Sequence, residues 1–132
     1  MRANQIVSRS NPTTLAKPVG DYSHVTVVSG QANIYTFSGQ IGTDLNGDIP
    51  KGFNEQVTNT FANITRLLES QELTSEHIIK VNIWSVKQID WDYFYKVWDP
   101  FFKGSYPSMT VAYISGLGLP EIDIEIEIWA AK

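Results

Sequence analysis

The chain has 132 residues, of which 42% are hydrophobic and none is cysteine, so one domain with its own core is expected, and disulfides, thiolate nucleophiles and zinc–thiolate sites are excluded. The formal net charge is −4 and the ten basic residues are scattered, which argues against a nucleic acid as the main partner. Neither a membrane-spanning run nor a signal-peptide run of apolar residues occurs, so we predict a single domain over 1–132, cytoplasmic and without a membrane partner.

Short strands dominate the first part of the chain and a helix follows them. Strands are predicted at 5–8, at 22–29, where valines favour a pleated surface, and at 34–39. A helix is predicted at 53–71, after an Asn-Gly turn, because apolar residues recur three and four positions apart. The apolar stripe of this helix consists of Phe53, Val57, Phe61, Ile64 and Leu68.

Two residues, Thr74 and Asp90, have the chemistry of helix N-caps. Thr74 is predicted to begin a single helical turn before a strand at 78–86, in which Ile79, Val81, Ile83 and Ser85 should share one face. Asp90 is predicted to begin a second helix at 91–102, whose last turn should be loosened by Pro100.

Two further strands complete the predicted order, one at 108–114 after Pro107 and one with strict alternation at 122–129. In the last strand, isoleucines point to one side, and Asp123, Glu125, Glu127 and Trp129 point to the other. Two helices cannot cover both faces of such a sheet, so we predict an α+β fold with both helices on the isoleucine face. The opposite face carries Trp84 and Trp129 and is expected to be buried against another subunit, with a solvated face as the alternative.

Few residues indicate catalysis by themselves. His24 lies two positions from Tyr22 and is interpreted as structural, because a general base also needs an orienting partner. His77 is expected to be solvated. The acidic residues of the last strand are spread along it by their i, i+2 spacing, so no metal site is predicted.

Several short sequences taken together resemble the RidA/YjgF family. The most specific are Ser38-Gly39-Gln40-Ile41 and the acidic end strand, and the resemblance covers about 11–131. The other matching segments are Gly20 to His24, Gln56 and Asn63 in the first helix, Pro107 before a strand, and Leu119-Pro120.

The resemblance implies a chorismate-mutase-like sheet with two helices on one face. It also implies a homotrimer with a central β-barrel and small-molecule clefts between neighbouring subunits. Members of this family hydrolyse enamines and imines to a ketoacid and ammonia, and they need no metal and no organic cofactor.

The resemblance also assigns residues to the site. Glu125 takes the position of the water-positioning glutamate, and Ser38 and Tyr22 complete the catalytic group. The family's carboxylate-clamping arginine falls on Met109, and a position that often holds asparagine falls on Tyr95. The substrate-binding positions are then Met109, Gly39, Gln40, Val111 and Tyr95.

A methionine at the clamp position changes the expected chemistry, because a thioether offers neither a charge nor a hydrogen-bond donor. Lys103 and Lys96 are the nearest candidate cations along the chain. Three functions remain open: a deaminase whose substrate lacks a free carboxylate or meets another clamp, a non-enzymatic ligand-binding or regulatory trimer, and a ribonuclease. The acidic charge argues against the ribonuclease.

Overall fold

The computed structural model describes residues 5–132, which form six strands, two α-helices and one 3₁₀ turn at Ser75–His77. In chain order these elements are β1 (Val7–Ser10), β2 (Val25–Val28), β3 (Ile34–Thr36), α1 (Phe53–Ser70), β4 (Ile78–Ser85), α2 (Trp91–Phe102), β5 (Ser108–Tyr113) and β6 (Ile124–Ala131).

The main sheet has four strands in the order β3-β6-β4-β5. The β4 and β5 strands run parallel and α2 connects them, whereas β6 is antiparallel to both β3 and β4. The β1 and β2 strands form a separate antiparallel pair. The hydroxyl groups of Thr26 and Ser108 lie 2.7 Å apart and tie this pair to the start of β5.

Both helices pack on the isoleucine face of the sheet, as predicted. Ile124, Ile126 and Ile128 are buried, and they belong to one cluster with the apolar stripes of α1 and α2. Phe61 of α1 contacts the rings of Phe94 and Trp98 of α2 edge to face, with centroids 5.7 and 6.1 Å apart. These large aromatic rings pack against each other between the two helices.

The strand ends differ from the sequence-based prediction. The β2 strand begins at Val25 instead of position 22, because the Ser23 N–H donates to the Pro107 carbonyl (3.0 Å) outside the β1–β2 ladder. The β3 strand ends at Thr36 instead of position 39, and the chain rejoins the sheet only at Gln40, which bridges to Ile126. The β1 strand lies at Val7–Ser10, two residues later than predicted.

Two local predictions around β4 were wrong and one was confirmed. A β-bulge between Ile78 and Lys80 places Ile78 in the core and leaves Ile79 half-buried. His77 is half-buried instead of solvated, because its Nδ1 accepts the Thr74 N–H (2.9 Å) in a capping box. Thr74 is the N-cap of the 3₁₀ turn, as predicted. Within residues 5–132, neither helix combines the length and the hydrophobicity needed to cross a bilayer.

Candidate functional site

The loop after β3 is held beside β6 by side-chain amides of α1. Asn63 donates through Nδ2 to the carbonyls of Ile41 (2.9 Å) and Thr43 (3.0 Å), and Asn59 donates to that of Gly42 (3.2 Å). On the other side, the loop exchanges two backbone hydrogen bonds of 2.8 and 2.9 Å with Ile126 through Gln40. The loop backbone is therefore fixed at both ends beside the middle of β6.

This arrangement brings Ser38, Gly39 and Gln40 next to Glu125. A Cβ atom at Gly39 would lie 2.8 Å from the carboxyl carbon of Glu125 and would overlap its oxygen, so only glycine leaves room for this carboxylate. Glu125 is half-buried and Ser38 is exposed. These four residues, which the sequence had proposed as site residues, are named here the Glu125 cluster.

A buried glutamine fixes the turn that leads into β6. The Gln56 side chain is fully buried, donates to the carbonyls of Pro50 (2.9 Å) and Glu121 (3.0 Å), and accepts the Asp123 N–H (2.9 Å). Asp123 also forms an ion pair with Lys87 at 3.2 Å. Because Asp123 comes two residues before Glu125, these contacts set the position at which Glu125 enters the sheet.

The other four proposed residues line a hollow beside α2 and β5. Tyr22, Tyr95, Met109 and Val111 contribute to a cavity of about 530 Å³, named here the Met109 hollow. Its remaining lining residues are Val19, Gly20 and Trp91. None of these three had been predicted as a site residue. Trp91 is the first residue of the predicted second helix, and its i, i+4 spacing to Tyr95 is a signal that could have identified a shared aromatic wall.

Contacts between α2 and the loop at 19–22 shape this hollow. The rings of Trp91 and Tyr95 lie 5.5 Å apart at 33° and form one wall. The Asp21 N–H lies 3.4 Å from the Tyr95 hydroxyl, and Trp98 Nε1 donates to the Asp21 carbonyl at 2.8 Å. A Cβ atom at Gly20 would overlap the Tyr95 hydroxyl, so glycine is needed for this close approach.

The Met109 hollow is uncharged. None of the described residues that line it is acidic or basic. Burial raises the pKa of the Tyr95 phenol above its usual value, so this group stays neutral near pH 7. The two lysines considered from the sequence, Lys96 and Lys103, are both exposed and neither belongs to the lining.

A second hollow of about 550 Å³ adjoins the first and shares Gly20 and Tyr22 with it. This second hollow is more polar, since its lining includes Lys17, Asp21 and Tyr106. Lys17 is the one basic side chain among the described residues that line the two hollows. Lys17 is therefore a candidate cation that was not predicted from the sequence.

The Glu125 cluster and the Met109 hollow lie on opposite faces of the sheet. Met109 and Val111 pair with Val81 and Ile83, whose side chains lie in the core beneath the helices. Glu125 belongs to the alternate positions of β6 and therefore points to the other face. The structure thus brings the eight proposed residues together as two groups of four instead of one constellation.

The remaining candidates have structural contacts. His24 makes a 2.8 Å hydrogen bond through Nε2 to the Ala16 carbonyl, and its ring lies edge to face with that of Tyr22 at 5.9 Å. Among residues 5–132, no group of three or more histidine, aspartate or glutamate side chains is arranged to hold a metal ion.

Comparisons with known proteins match nearly the whole chain. The sequence pattern of the family described as Endoribonuclease L-PSP matches residues 13–132. A RutC family protein of Aquifex aeolicus is 34% identical over 118 residues, which cover 87% of this chain and 91% of that protein.

Solved structures show the same fold at lower sequence identity. The Rid-family protein YyfB of Yersinia pestis, whose function is unknown, has a TM-score of 0.84 at 21% identity over 96% of this chain and 99% of that one. A YjgF-family protein from Neisseria meningitidis has a TM-score of 0.64 at 22% identity, with coverage of 97% and 96%.

Proposed function

The chain belongs to the endoribonuclease L-PSP family, also called YjgF or RidA, and from this membership we propose that it binds a small molecule and hydrolyses its imine or enamine group. The observation that carries this proposal is the Glu125 cluster. A half-buried carboxylate with a glycine backbone held against it is suited to accept a proton from an attacking water.

The proposed reaction needs no group beyond side chains, backbone and water. Water adds to the C=N carbon while its proton passes to Glu125, and the proton then returns to the nitrogen. The carbinolamine expels ammonia, so that R₂C=NH and H₂O give R₂C=O and NH₃. Ser38 and Tyr22 are proposed to donate hydrogen bonds to the substrate and to orient it.

A second copy of the chain is proposed to complete the site. The outer sheet face carries apolar side chains that one chain leaves uncovered, since Trp129 is 41% and Ile34 is 53% exposed. Burial of such side chains between copies is favourable. We therefore propose a homotrimer around a central barrel, in which the Glu125 cluster of one copy faces the Met109 hollow of its neighbour.

Hydrolysis is tested with imines generated in situ by an oxidase, with semicarbazide as the competing trap and ammonia as the product measured. Glu125→Gln should lower the rate about a hundredfold or more. Gly39→Ala should lower it about tenfold, because the added methyl group displaces the carboxylate. Glu127→Gln, on the same face two residues along β6, is the matched control and should retain the rate. Equal rates for wild type and Glu125→Gln would refute the proposal.

The shared site has a separate test. Sedimentation velocity should give three chains per particle. When Glu125→Gln and Tyr22→Ala chains are unfolded, mixed in equal amounts and refolded, about one site in four should regain both groups if they come from neighbouring copies. Inactive mixtures in the presence of correctly assembled trimers would place both residues in one chain.

The Met109 hollow has no charged side chain among its described lining residues, which favours one alternative, a non-enzymatic ligand-binding trimer. This alternative predicts ligand binding with no difference in ammonia release between wild type and Glu125→Gln. The ribonuclease activity in the family's description has no such support here, because the net charge is −4 and the described lining residues of the Met109 hollow include no cation.

A further inference from the structure

The Met109 hollow has the composition of a site for an uncharged ligand. Six of its seven lining residues have side chains, and these are three aromatic rings, two valines and one methionine. A cavity of about 530 Å³ is in the usual range for a small-molecule site. We propose that it binds a neutral aromatic carbonyl or imine compound, and that compounds with a carboxylate in place of the neutral group are excluded.

The aromatic preference follows from the wall made by Trp91 and Tyr95. Their rings lie 5.5 Å apart and are tilted by 33°, so a third ring can stack against this wall or meet it edge to face. Val19 is 98% exposed at the margin of the hollow. A bound ring would cover part of this valine, which adds to the favourable apolar contact.

The exclusion of anions follows from the charges around the hollow. Tyr95 and Tyr22 offer hydroxyl groups, which can meet one carbonyl oxygen or imine nitrogen. The Tyr95 hydroxyl meets the backbone of Asp21, an acidic residue, and no cation balances it within the described lining. A carboxylate bound there would lose its water and gain no ion pair, which is strongly unfavourable.

Lys17 offers an alternative to the exclusion of carboxylates. A longer ligand could lie across both hollows and place a carboxylate at Lys17, since the hollows share Gly20 and Tyr22. Lys17 is exposed on the loop and remains hydrated, so an ion pair there would add little affinity. We therefore assign the hollow to neutral compounds and use Lys17 as a diagnostic position.

The experiment uses phenylacetamide and phenylacetate, which share the ring and nearly the same shape but differ in charge. Neither compound is hydrolysed by the proposed reaction, so calorimetry on the assembled protein measures binding alone. Phenylacetamide should bind at least about tenfold more tightly than phenylacetate. Met109→Arg should reverse this preference, because a guanidinium offers two parallel donors to a carboxylate.

Variants of the wall test the ring contact. Trp91→Ala should weaken phenylacetamide binding about tenfold, and Trp91→Phe, which keeps a ring, should retain most of it even if the alanine variant is unstable. Glu127→Gln is the control with unchanged binding. The inference is overturned if phenylacetate binds as tightly as the amide and loses affinity in Lys17→Gln, or if neither compound binds.

The inference depends on the proposed function only for the statement that the ligand is an imine or a carbonyl compound. Preferential binding of the amide together with equal ammonia release by wild type and Glu125→Gln would leave the ligand class standing and refute the hydrolysis. Glu125-dependent hydrolysis together with tight binding of phenylacetate would support the hydrolysis and refute the ligand class.

Discussion

Replacing Gln56 with leucine tests how much the turn before β6 depends on one buried amide. Leucine has a similar size but cannot donate to the carbonyls of Pro50 and Glu121 or accept the N–H of Asp123. Unpaired buried groups cost about 1–3 kcal/mol each. The Asp123 N–H bears the full cost because it is buried, whereas the two carbonyls are only partly shielded. We expect the free energy of unfolding to fall by about 3 kcal/mol.

Urea unfolding at a fixed protein concentration, followed by tryptophan fluorescence, measures this loss. Gln56→Glu is the informative companion, because it keeps the acceptor for Asp123 and loses the donors. The introduced carboxylate faces two carbonyl oxygens. The free energy of unfolding of this variant should therefore fall further as the pH rises above the carboxyl pKa. Glu69→Gln, an exposed change on the same helix, is the control. A loss below about 1 kcal/mol in Gln56→Leu would refute the assigned role.

Three further changes test other contacts. A Cβ atom at Gly42 would lie 2.6 Å from the backbone of α1, so Gly42→Ala should cost about 1–3 kcal/mol in urea unfolding, whereas Gly30→Ala, with open space around it, should cost little. Arg9 donates to two carbonyls around the 3₁₀ turn at 2.9 and 2.8 Å, and Arg9→Met should lower the melting temperature by several degrees. Burial, with a hydrogen bond to Asp99, raises the pKa of Tyr106 to about 12. Its stabilising contribution is therefore complete below about pH 10 and lost towards pH 12, and Tyr106→Phe should remove this part of the alkaline unfolding profile.

Each of these three predictions has a result that would contradict it. Equal stability of the Gly42→Ala and Gly30→Ala proteins would mean that α1 moves freely away from the loop. An unchanged melting temperature in Arg9→Met would mean that water replaces the guanidinium at the turn. An unchanged profile in Tyr106→Phe would assign the alkaline step to another group.

The helices were predictable because their signals are local. The α2 bounds agree with the prediction, and α1 ends one residue earlier than predicted, at Ser70. A 3.6-residue apolar period and a capping aspartate lie within the segment that they describe. The strand ends depend on partners far along the chain, such as Pro107 for Ser23, and no pattern within β2 contains this information.

The residues of the candidate site were proposed from the sequence, but their arrangement in space was not. The family resemblance proposed Glu125 and Met109 as site residues, but their separation on two faces follows from the pairing of three strands. The requirement for glycine at positions 20, 39 and 42 likewise comes from side chains and backbone that approach from elsewhere. Trp91 was not predicted as a site residue, because packing in the core already explains an aromatic residue in the apolar stripe of a helix.

The two faces also separate the proposed base from the hollow that is proposed to select the ligand. The carboxylate of Glu125 is positioned by Gly39, by the turn that Gln56 holds and by the β6 ladder, and none of these contacts involves Met109. Met109 lies half-buried on β5, outside that network, so its side chain can change from an apolar to a charged type without disturbing it. A substitution there should therefore alter which ligands bind while the position of the proposed base stays the same, and the reversal expected in Met109→Arg follows from this independence.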